Sequence, residues 1–318
     1  MKYAVIEEAG RIVIREKEAP RVAAGKLLVR VTRAGVCGAT ELHFLRGEAG
    51  VSFPLDSFNS CFGHEGSGVV EEAGAGVEGF EKGARVTYLG PCYTEYALVD
   101  PALAARLPGD VSFDDILGEP FAVVLHTLEH AQGRVLGDVV LLGAGFMGLL
   151  VLQGLVRMPL RRVIVAEKRE SRLRLAREFG ATSAVKVGRD DLEEAVMRLT
   201  DGRGADVVIE ASGSKEALKQ CGALVAPGGK IVLHGYYPGL SAIDLGPWHV
   251  KGAVVINSHP HDRERYGELM QRACTAAREK FFDLSRIVTH RLPLEELSGA
   301  FEALVKDEGL IKAVIQFD

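Results

Sequence analysis

The sequence is poor in cysteine and has no long hydrophobic run, and both features limit what the protein can be. Its five cysteines are odd in number and widely scattered along 318 residues, unlike a disulfide framework. A reducing cytoplasm is therefore the expected location. No apolar run approaches the ~18 residues of a membrane span. The opening MKYAVIEEAG has no apolar core of a signal peptide.

An excess of basic residues is also absent. The formal net charge is −5, which argues against nucleic acid as the main partner. Hydrophobic residues make up 47% and charged residues 25% of the chain, the values of an ordinary soluble globular protein. The length favours two domains. Internal repeats and low-complexity segments are missing, so solenoid and disordered architectures are excluded.

The pattern of the sequence changes near residue 121. Before it, short β-branched runs such as KLLVRVTRAGV and GSGVVEEAG are separated by glycine and acidic turns. After it, apolar strands such as DVVLLGAG alternate with helices, which predicts a parallel sheet covered on both faces. We therefore predict an α/β protein with a β domain at 1–120 and a dinucleotide-type domain at 121–257. The remaining segment, 258–318, ends in the apolar run IKAVIQF and is expected to return to the first domain.

The clearest motif is a glycine-rich turn between a predicted strand and a predicted helix. It reads Gly143-Ala144-Gly145-Phe146-Met147-Gly148. Gly143 would allow the tight turn, Gly145 the approach of a pyrophosphate, and Gly148 the packing of helix on strand. The phosphates would meet the first turn of the helix, where free N–H groups favour anions.

An acidic residue ends the next predicted strand. Glu167 lies 22 residues after Gly145 and would accept hydrogen bonds from the adenosine ribose. Its charge would repel a 2′-phosphate, which favours NAD over NADP. Lys168 and Arg169 follow directly, and an arginine here would instead hold that phosphate, so NADP stays open. A methyltransferase is the competing interpretation, because its related fold also has a glycine-rich first loop.

Three separate segments contain candidate metal ligands: Cys37 in GVCGATELH, His64 in GHE and Glu119 in GEP. A catalytic zinc needs about three such ligands and one open position. Each residue alone is weak evidence, since a single cysteine or histidine is more often structural.

These segments also carry a resemblance. GVCGATELHFLRG, GHEGSGVVEEAGAGVEGFEKGARV, GEPFAVVLHTLEHA and GAGFMG resemble, in this order, the zinc alcohol and polyol dehydrogenases of the medium-chain dehydrogenase/reductase superfamily. The resemblance implies a GroES-like β domain that carries catalytic zinc and a Rossmann domain that binds NAD(P), with a cleft between them. Cys37 and His64 match the first two ligands of the family, and Glu119 matches the third as it occurs in polyol members. Glu65 matches the glutamate beside the ligand histidine, an alternate ligand or a neighbour of the metal.

Two features depart from the family. The lobe with four cysteines that binds a structural zinc is missing, because the ten residues from Val86 to Glu95 contain only Cys92. One catalytic zinc and no structural zinc are therefore expected. The first ligand begins the segment C-G-A-T-E-L-H, in which one more residue precedes Thr40 and Glu41 than in the common pattern C-x-[ST]-D-x-x-H. This spacing, the short length and the C-terminal tail resemble the bacteriochlorophyllide dehydrogenase branch.

The same segment supplies candidates for proton transfer. Thr40 is the candidate to pass on the proton of the alcohol, and His43 is a possible next relay to solvent. Surface or capping roles are equally open for both. Glu41 is a candidate to orient His64, as carboxylates do for metal-bound imidazoles.

Together these features predict an NAD(P)-linked zinc enzyme that interconverts a secondary alcohol and a ketone. The expected mechanism is activation of the hydroxyl by zinc and hydride transfer to the nicotinamide. Polyols, sugars or cyclitols are the predicted substrates. The alternatives are a zinc-free quinone or enoyl reductase of the same superfamily, a methyltransferase, and a non-catalytic binding protein. A homodimer or homotetramer is expected, joined through AVVINSHP as an edge strand.

Overall fold

A computed structural model describes residues 1–48, 61–260 and 262–317. Helices and strands alternate along most of the chain, and none of the helices among these residues is long and apolar enough to cross a membrane. The elements, in chain order, are β1 Lys2–Glu8, β2 Arg11–Glu16, β3 Leu27–Gly35, α1 Thr40–Leu45, β4 Gly66–Ala73, β5 Arg85–Tyr88, β6 Tyr96–Val99, β7 Ala104–Arg106, α2 Gly118–His130, β8 Asp138–Leu142, α3 Phe146–Leu155, β9 Arg162–Glu167, α4 Glu170–Glu178, β10 Ser183–Lys186, α5 Leu192–Leu199, β11 Ala205–Glu210, α6 Lys215–Leu224, β12 Val225–Leu233, α7 Gly246–Val250, β13 Val254–Asn257, α8 Arg263–Arg278, β14 His290–Leu292, α9 Leu297–Lys306 and β15 Ala313–Gln316.

The chain divides into two compact units. The first contains Met1–Ala122 and Pro260–Asp318, and the second contains Val123–His259. The boundaries predicted from the sequence, after residues 120 and 257, each lie two residues before these divisions.

The first unit is built around a seven-stranded sheet. Its strands follow the order β14-β15-β3-β4-β5-β7, and β6 also pairs with β3. β3 has the alternating burial expected when one face of a strand lies against a core. β15, from the C-terminal segment, pairs antiparallel with β3 through Val314 and Gly35. The first and last parts of the chain therefore share one sheet and one core.

The second unit contains a parallel sheet of six strands, in the order β10-β9-β8-β11-β12-β13. β8 is buried at all five positions, as expected for a strand covered on both faces. The predicted α/β fold class with a doubly wound parallel sheet is confirmed. From β8, the sheet continues to β9 and β10 on one side and to β11, β12 and β13 on the other. The direction in which successive strands are added therefore reverses between β8 and β11. Ligands of such sheets bind at the carboxyl ends of the strands beside this reversal.

β13 is an edge strand of this sheet, and its Val254 and Val255 are exposed. Assembly through this edge stays a prediction.

Candidate active site

Two of the predicted metal ligands meet at one end of the β3–β4 pair. β3 and β4 run antiparallel with Ala34 opposite Gly66, so the residues after β3 and before β4 lie together. Cys37 follows β3, and His64 and Glu65 directly precede β4. The donor atoms of these three side chains all lie within 4.8 Å of one another.

The backbone at this point is unusually close to a side chain. A Cβ atom on Gly35 would lie 2.0 Å from Glu65 Oε2, and the Gly35 amide donates to the Glu65 carbonyl at 2.9 Å. Only glycine leaves room here for the carboxylate of Glu65. The glycine that ends β3 therefore allows this carboxylate to lie beside the cysteine and histidine.

A buried carboxylate holds His64 in one orientation. Glu41, in α1, is completely buried, and its Oε1 lies 2.7 Å from His64 Nδ1. The other oxygen of Glu41 accepts hydrogen bonds from the Tyr93 hydroxyl and from the Cys37 amide, the latter at 3.2 Å. A carboxylate at Nδ1 favours the tautomer with its proton there, which puts the lone pair of the imidazole on Nε2, the nitrogen that would bind a metal.

The surroundings of His64 favour positive charge. Burial by itself would lower the pKa of His64, but Glu41 and Cys37 raise it well above its usual value. A cation bound at this point would meet the same two negative groups. The donor set of thiolate, imidazole and carboxylate is the set that zinc prefers. The residues present therefore fit a zinc ion.

Glu119, the third predicted ligand, lies in the first turn of α2 and is buried. It is not among the three side chains whose donor atoms lie within 4.8 Å of one another. It still interacts electrostatically with His64, Glu65 and Lys312. Burial raises the pKa of Glu119 to about 7. Its role as ligand stays a prediction.

Glu65 forms a buried ion pair. Lys312 Nζ lies 2.7 Å from both oxygens of Glu65, and the two side chains are 4% and 3% exposed. Burial by itself would lower the pKa of Lys312, but Glu65 raises it above its usual value. Much of the charge of Glu65 is therefore already balanced without a metal.

The two candidates for proton transfer lie in α1. Thr40 is its first residue and is partly buried. His43 Nδ1 lies 2.7 Å from Glu48 Oε2, so this histidine has a carboxylate neighbour of its own. Neither residue belongs to the group formed by Cys37, His64 and Glu65, and the relay stays a prediction.

The glycine-rich turn lies at the carboxyl end of β8, beside the reversal in strand order. Gly143 has a φ of +97°, and a Cβ on it would lie 2.9 Å from Ser212. A Cβ on Gly148 would lie 2.1 Å from the Gly143 carbonyl, so α3 can approach the turn only with glycine there. The first of these glycines provides the turn, and the last provides the close packing.

Gly145 has open space in front of it. A Cβ atom on this residue would meet only Arg172, at 3.7 Å, among the described residues. As the residue before α3 it has no side chain to cap the first N–H groups of that helix. Phe146 and Met147 continue the first turn. The first turn of a helix that has no capping side chain is a favourable position for an anion.

A cleft of about 320 Å³ opens in front of this turn. Its lining includes Gly143, Gly145, Glu167, Lys168, Arg172, Ser212 and Ser214. Glu167 Oε2 accepts from the Ala144 amide at 2.9 Å, and Oε1 accepts from the amides of Lys168 and Arg169 at 2.6 and 2.9 Å. Glu167, the residue predicted to bind the adenosine ribose, therefore also fixes the conformation of the glycine-rich turn.

Several residues of these two sites were not foreseen from the sequence. Tyr93 and Lys312 complete the surroundings of the metal ligands, and Arg172 and Ser212 line the cleft. Only Lys312 had a signal in the sequence, because it is a single charge in the apolar run IKAVIQF.

Comparison with known proteins identifies the family of the chain. Residues 23–109 match the family model described as the alcohol dehydrogenase GroES-like domain, and residues 147–274 match the model described as zinc-binding dehydrogenase. L-threonine 3-dehydrogenase of Chromobacterium violaceum is 27% identical over 91% of this chain and 92% of its own.

Solved structures give the same result for the fold. Galactitol-1-phosphate dehydrogenase of Escherichia coli superposes with a TM-score of 0.88 at 21% identity, over the full length of both chains. A protein of Sinorhizobium meliloti 1021, provisionally designated a zinc-binding dehydrogenase and bound to NADP, has a TM-score of 0.86 at 26% identity over 99% of both chains. The chain belongs to the zinc-type alcohol dehydrogenases of the medium-chain dehydrogenase/reductase superfamily. The predicted pairing of a GroES-like and a Rossmann domain is confirmed.

Proposed function

We propose that the protein is a zinc-dependent, nicotinamide-linked dehydrogenase that interconverts a secondary alcohol and the corresponding ketone. The observation that carries this proposal is the convergence of Cys37, His64 and Glu65 on one point, with Glu119 buried nearby. When bound, zinc would supply Lewis-acid activation of the alcohol, and the nicotinamide would accept the hydride.

The side chains of the chain itself would hold and tune the metal. Cys37 and His64 would bind it, with Glu119 as the third ligand and Glu65 as an alternate one. Glu41 would keep the Nδ1 proton of His64 in place, so that Nε2 faces the metal. Lys312 would limit the negative charge by pairing with Glu65.

The cofactor would lie in the cleft in front of the glycine-rich turn. Its pyrophosphate would approach Gly145, and its adenosine ribose would approach Glu167. We propose NAD as the preferred cofactor, since the carboxylate of Glu167 opposes a 2′-phosphate.

Polyols, sugars or cyclitols are the proposed substrates. A glutamate at the position of Glu119 resembles the polyol members of the superfamily. The substrate named for the Chromobacterium violaceum relative, L-threonine, carries a secondary hydroxyl at C3, which supports a secondary alcohol.

Two variants test the proposal. Cys37→Ser should lose zinc and most alcohol oxidation but still bind NADH, because a neutral hydroxyl is a far poorer zinc ligand than a thiolate. Gly145→Val should lose NADH affinity and keep its zinc, because the new side chain would occupy the space in front of the turn. Zinc content, NADH affinity and turnover are measured for both, after a screen of polyols, sugars and simple alcohols with NAD and NADP.

The competing functions give different results in the same experiment. A zinc-free reductase would keep normal turnover in Cys37→Ser. A methyltransferase or a binding protein would show no hydride transfer in the wild type with any alcohol. Either result would refute the proposed mechanism.

A further inference from the structure

Two histidines lie one helical turn apart on α2. His126 and His130 are four residues apart, a spacing that places their side chains on the same face of the helix. Their rings are 4.6 Å apart between centroids and are inclined by 77°. The Nε2 atoms of both rings lie 3.3 Å from each other and share a hydrogen bond, so each ring turns its Nε2 toward the other, and an ion bound between them would take the place of that proton.

This separation is the one that two ligands of a tetrahedral metal adopt. Zn–N bonds are about 2.0–2.1 Å long. At the tetrahedral angle, two nitrogens bound to one ion are therefore about 3.3–3.4 Å apart. The distance between the two Nε2 atoms agrees with this value. The helix backbone itself preorganises the pair, because both histidines lie within one element.

A carboxylate lies on the other side of His126. Glu129 Oε2 is 3.5 Å from His126 Nδ1. A carboxylate at this distance favours a proton on Nδ1, and the lone pair then remains on Nε2. The side chain of His126 is 9% exposed, and His130 is partly buried. An ion shared by the two rings would therefore bind between Nε2 of His126 and Nε2 of His130.

We propose that His126 and His130 form a second metal site, which binds one exchangeable divalent transition-metal ion of the zinc, nickel or copper class. Imidazole nitrogens select these ions over magnesium and calcium, which prefer oxygen. Water completes the coordination. With two protein ligands, the site holds its ion more weakly than the group around Cys37. Its two histidines lie in the second unit and the Cys37 group lies in the first, so this proposal does not depend on the proposed function.

The test uses His130→Gln, because His126 is more deeply buried and its replacement carries a larger risk to folding. The matched control is His249→Gln, which removes an exposed histidine of the same unit. Nickel ions are titrated into protein without an affinity tag that already contains its zinc, and the bound equivalents are counted by calorimetry. The wild type and His249→Gln should bind one equivalent more than His130→Gln.

Two further measurements separate a built site from an adventitious one. Nickel should raise the melting temperature of the wild type and leave that of His130→Gln unchanged, since an ion that binds only the folded state stabilises it. Glu129→Gln should weaken nickel binding about tenfold, as the loss of such a neighbour does at other metal sites. Equal numbers of nickel ions in the wild type and His130→Gln, or the same loss in His249→Gln, would overturn the proposal.

Discussion

Replacing Glu41 by glutamine tests how the metal ligands are held. In the native protein, the Glu41 carboxylate lies 2.7 Å from His64 Nδ1 and also accepts from Tyr93. Glu41→Gln keeps the size and shape of the side chain but removes its charge. The amide can still accept a hydrogen bond from His64, although a neutral acceptor is roughly half as strong as a charged one. Packing should therefore be preserved, but the imidazole of His64 should be held less firmly in its orientation and should be less basic.

The size of the expected loss of zinc affinity follows from the burial of the contact between Glu41 and His64. Loss of a group that orients a metal-bound histidine typically lowers metal affinity about 10–100-fold. This range corresponds to about 1.4–2.7 kcal/mol. Glu41 is completely buried, so no water replaces its charge. We therefore expect a loss of zinc affinity toward the upper end, near 100-fold.

Zinc affinity is measured by competition with a chelator, and NADH affinity is measured in parallel. The matched control is Glu48→Gln, because Glu48 lies at the same 2.7 Å from Nδ1 of His43 but outside the group of metal ligands. Glu41→Gln should lose zinc affinity and keep NADH affinity, and Glu48→Gln should keep both. A zinc affinity of Glu41→Gln within twofold of the wild type would refute this reasoning.

Two other changes probe the buried ion pair and the choice of cofactor. Lys312→Met leaves Glu65 buried without its partner and should lower the free energy of unfolding, measured in urea, by about 3–5 kcal/mol. The control Lys2→Met breaks an exposed ion pair of the same 2.7 Å length and should change the midpoint of urea unfolding very little. Similar midpoints for both variants would contradict the importance of burial. Glu167→Ala should raise the kcat/KM with NADP relative to NAD about tenfold, because repulsion of the 2′-phosphate is lost. Glu216→Ala, on the same cleft, is the control, and a wild type that prefers NADP would show that this interpretation of Glu167 is wrong.

The second unit was the part of the fold best predicted from the sequence. Its strands are apolar runs, and its glycine-rich turn contains glycines at positions where a Cβ atom would clash. Local sequence patterns are therefore enough to define these elements. The glycine-rich turn predicted to lie between a strand and a helix does so, because β8 ends at Leu142 and α3 begins at Phe146. Where information is local, as at Gly143 and Gly148, the sequence contains most of what the structure shows.

The surroundings of the metal ligands could be predicted only in part, because they come from distant segments. Glu41 is four residues from Cys37, and a carboxylate at that spacing is a natural candidate to orient a ligand. Tyr93 lies in a loop and Lys312 more than 240 residues from Glu65. The position of Lys312 depends on the pairing of β15 with β3, and that of Tyr93 on the hydrogen bond from its amide to the Phe62 carbonyl. A single sequence reveals neither contact.

The charges around this site bear on which carboxylate completes the metal ligands. Three buried carboxylates, Glu41, Glu65 and Glu119, surround the site of the Cys37 thiol, and Lys312 is the cation paired with one of them. If the thiol and all three carboxylates were ionised, these groups would carry four negative charges and one positive charge, an excess that a divalent ion would reduce from three to one. Glu65 lies nearer to the ligand atoms, but its charge is already balanced by Lys312. Glu119 forms no ion pair within the described part of the chain, and burial raises its pKa to about 7. Because Glu119 has more to gain from a nearby cation than Glu65, it is the carboxylate that zinc should recruit as its third ligand.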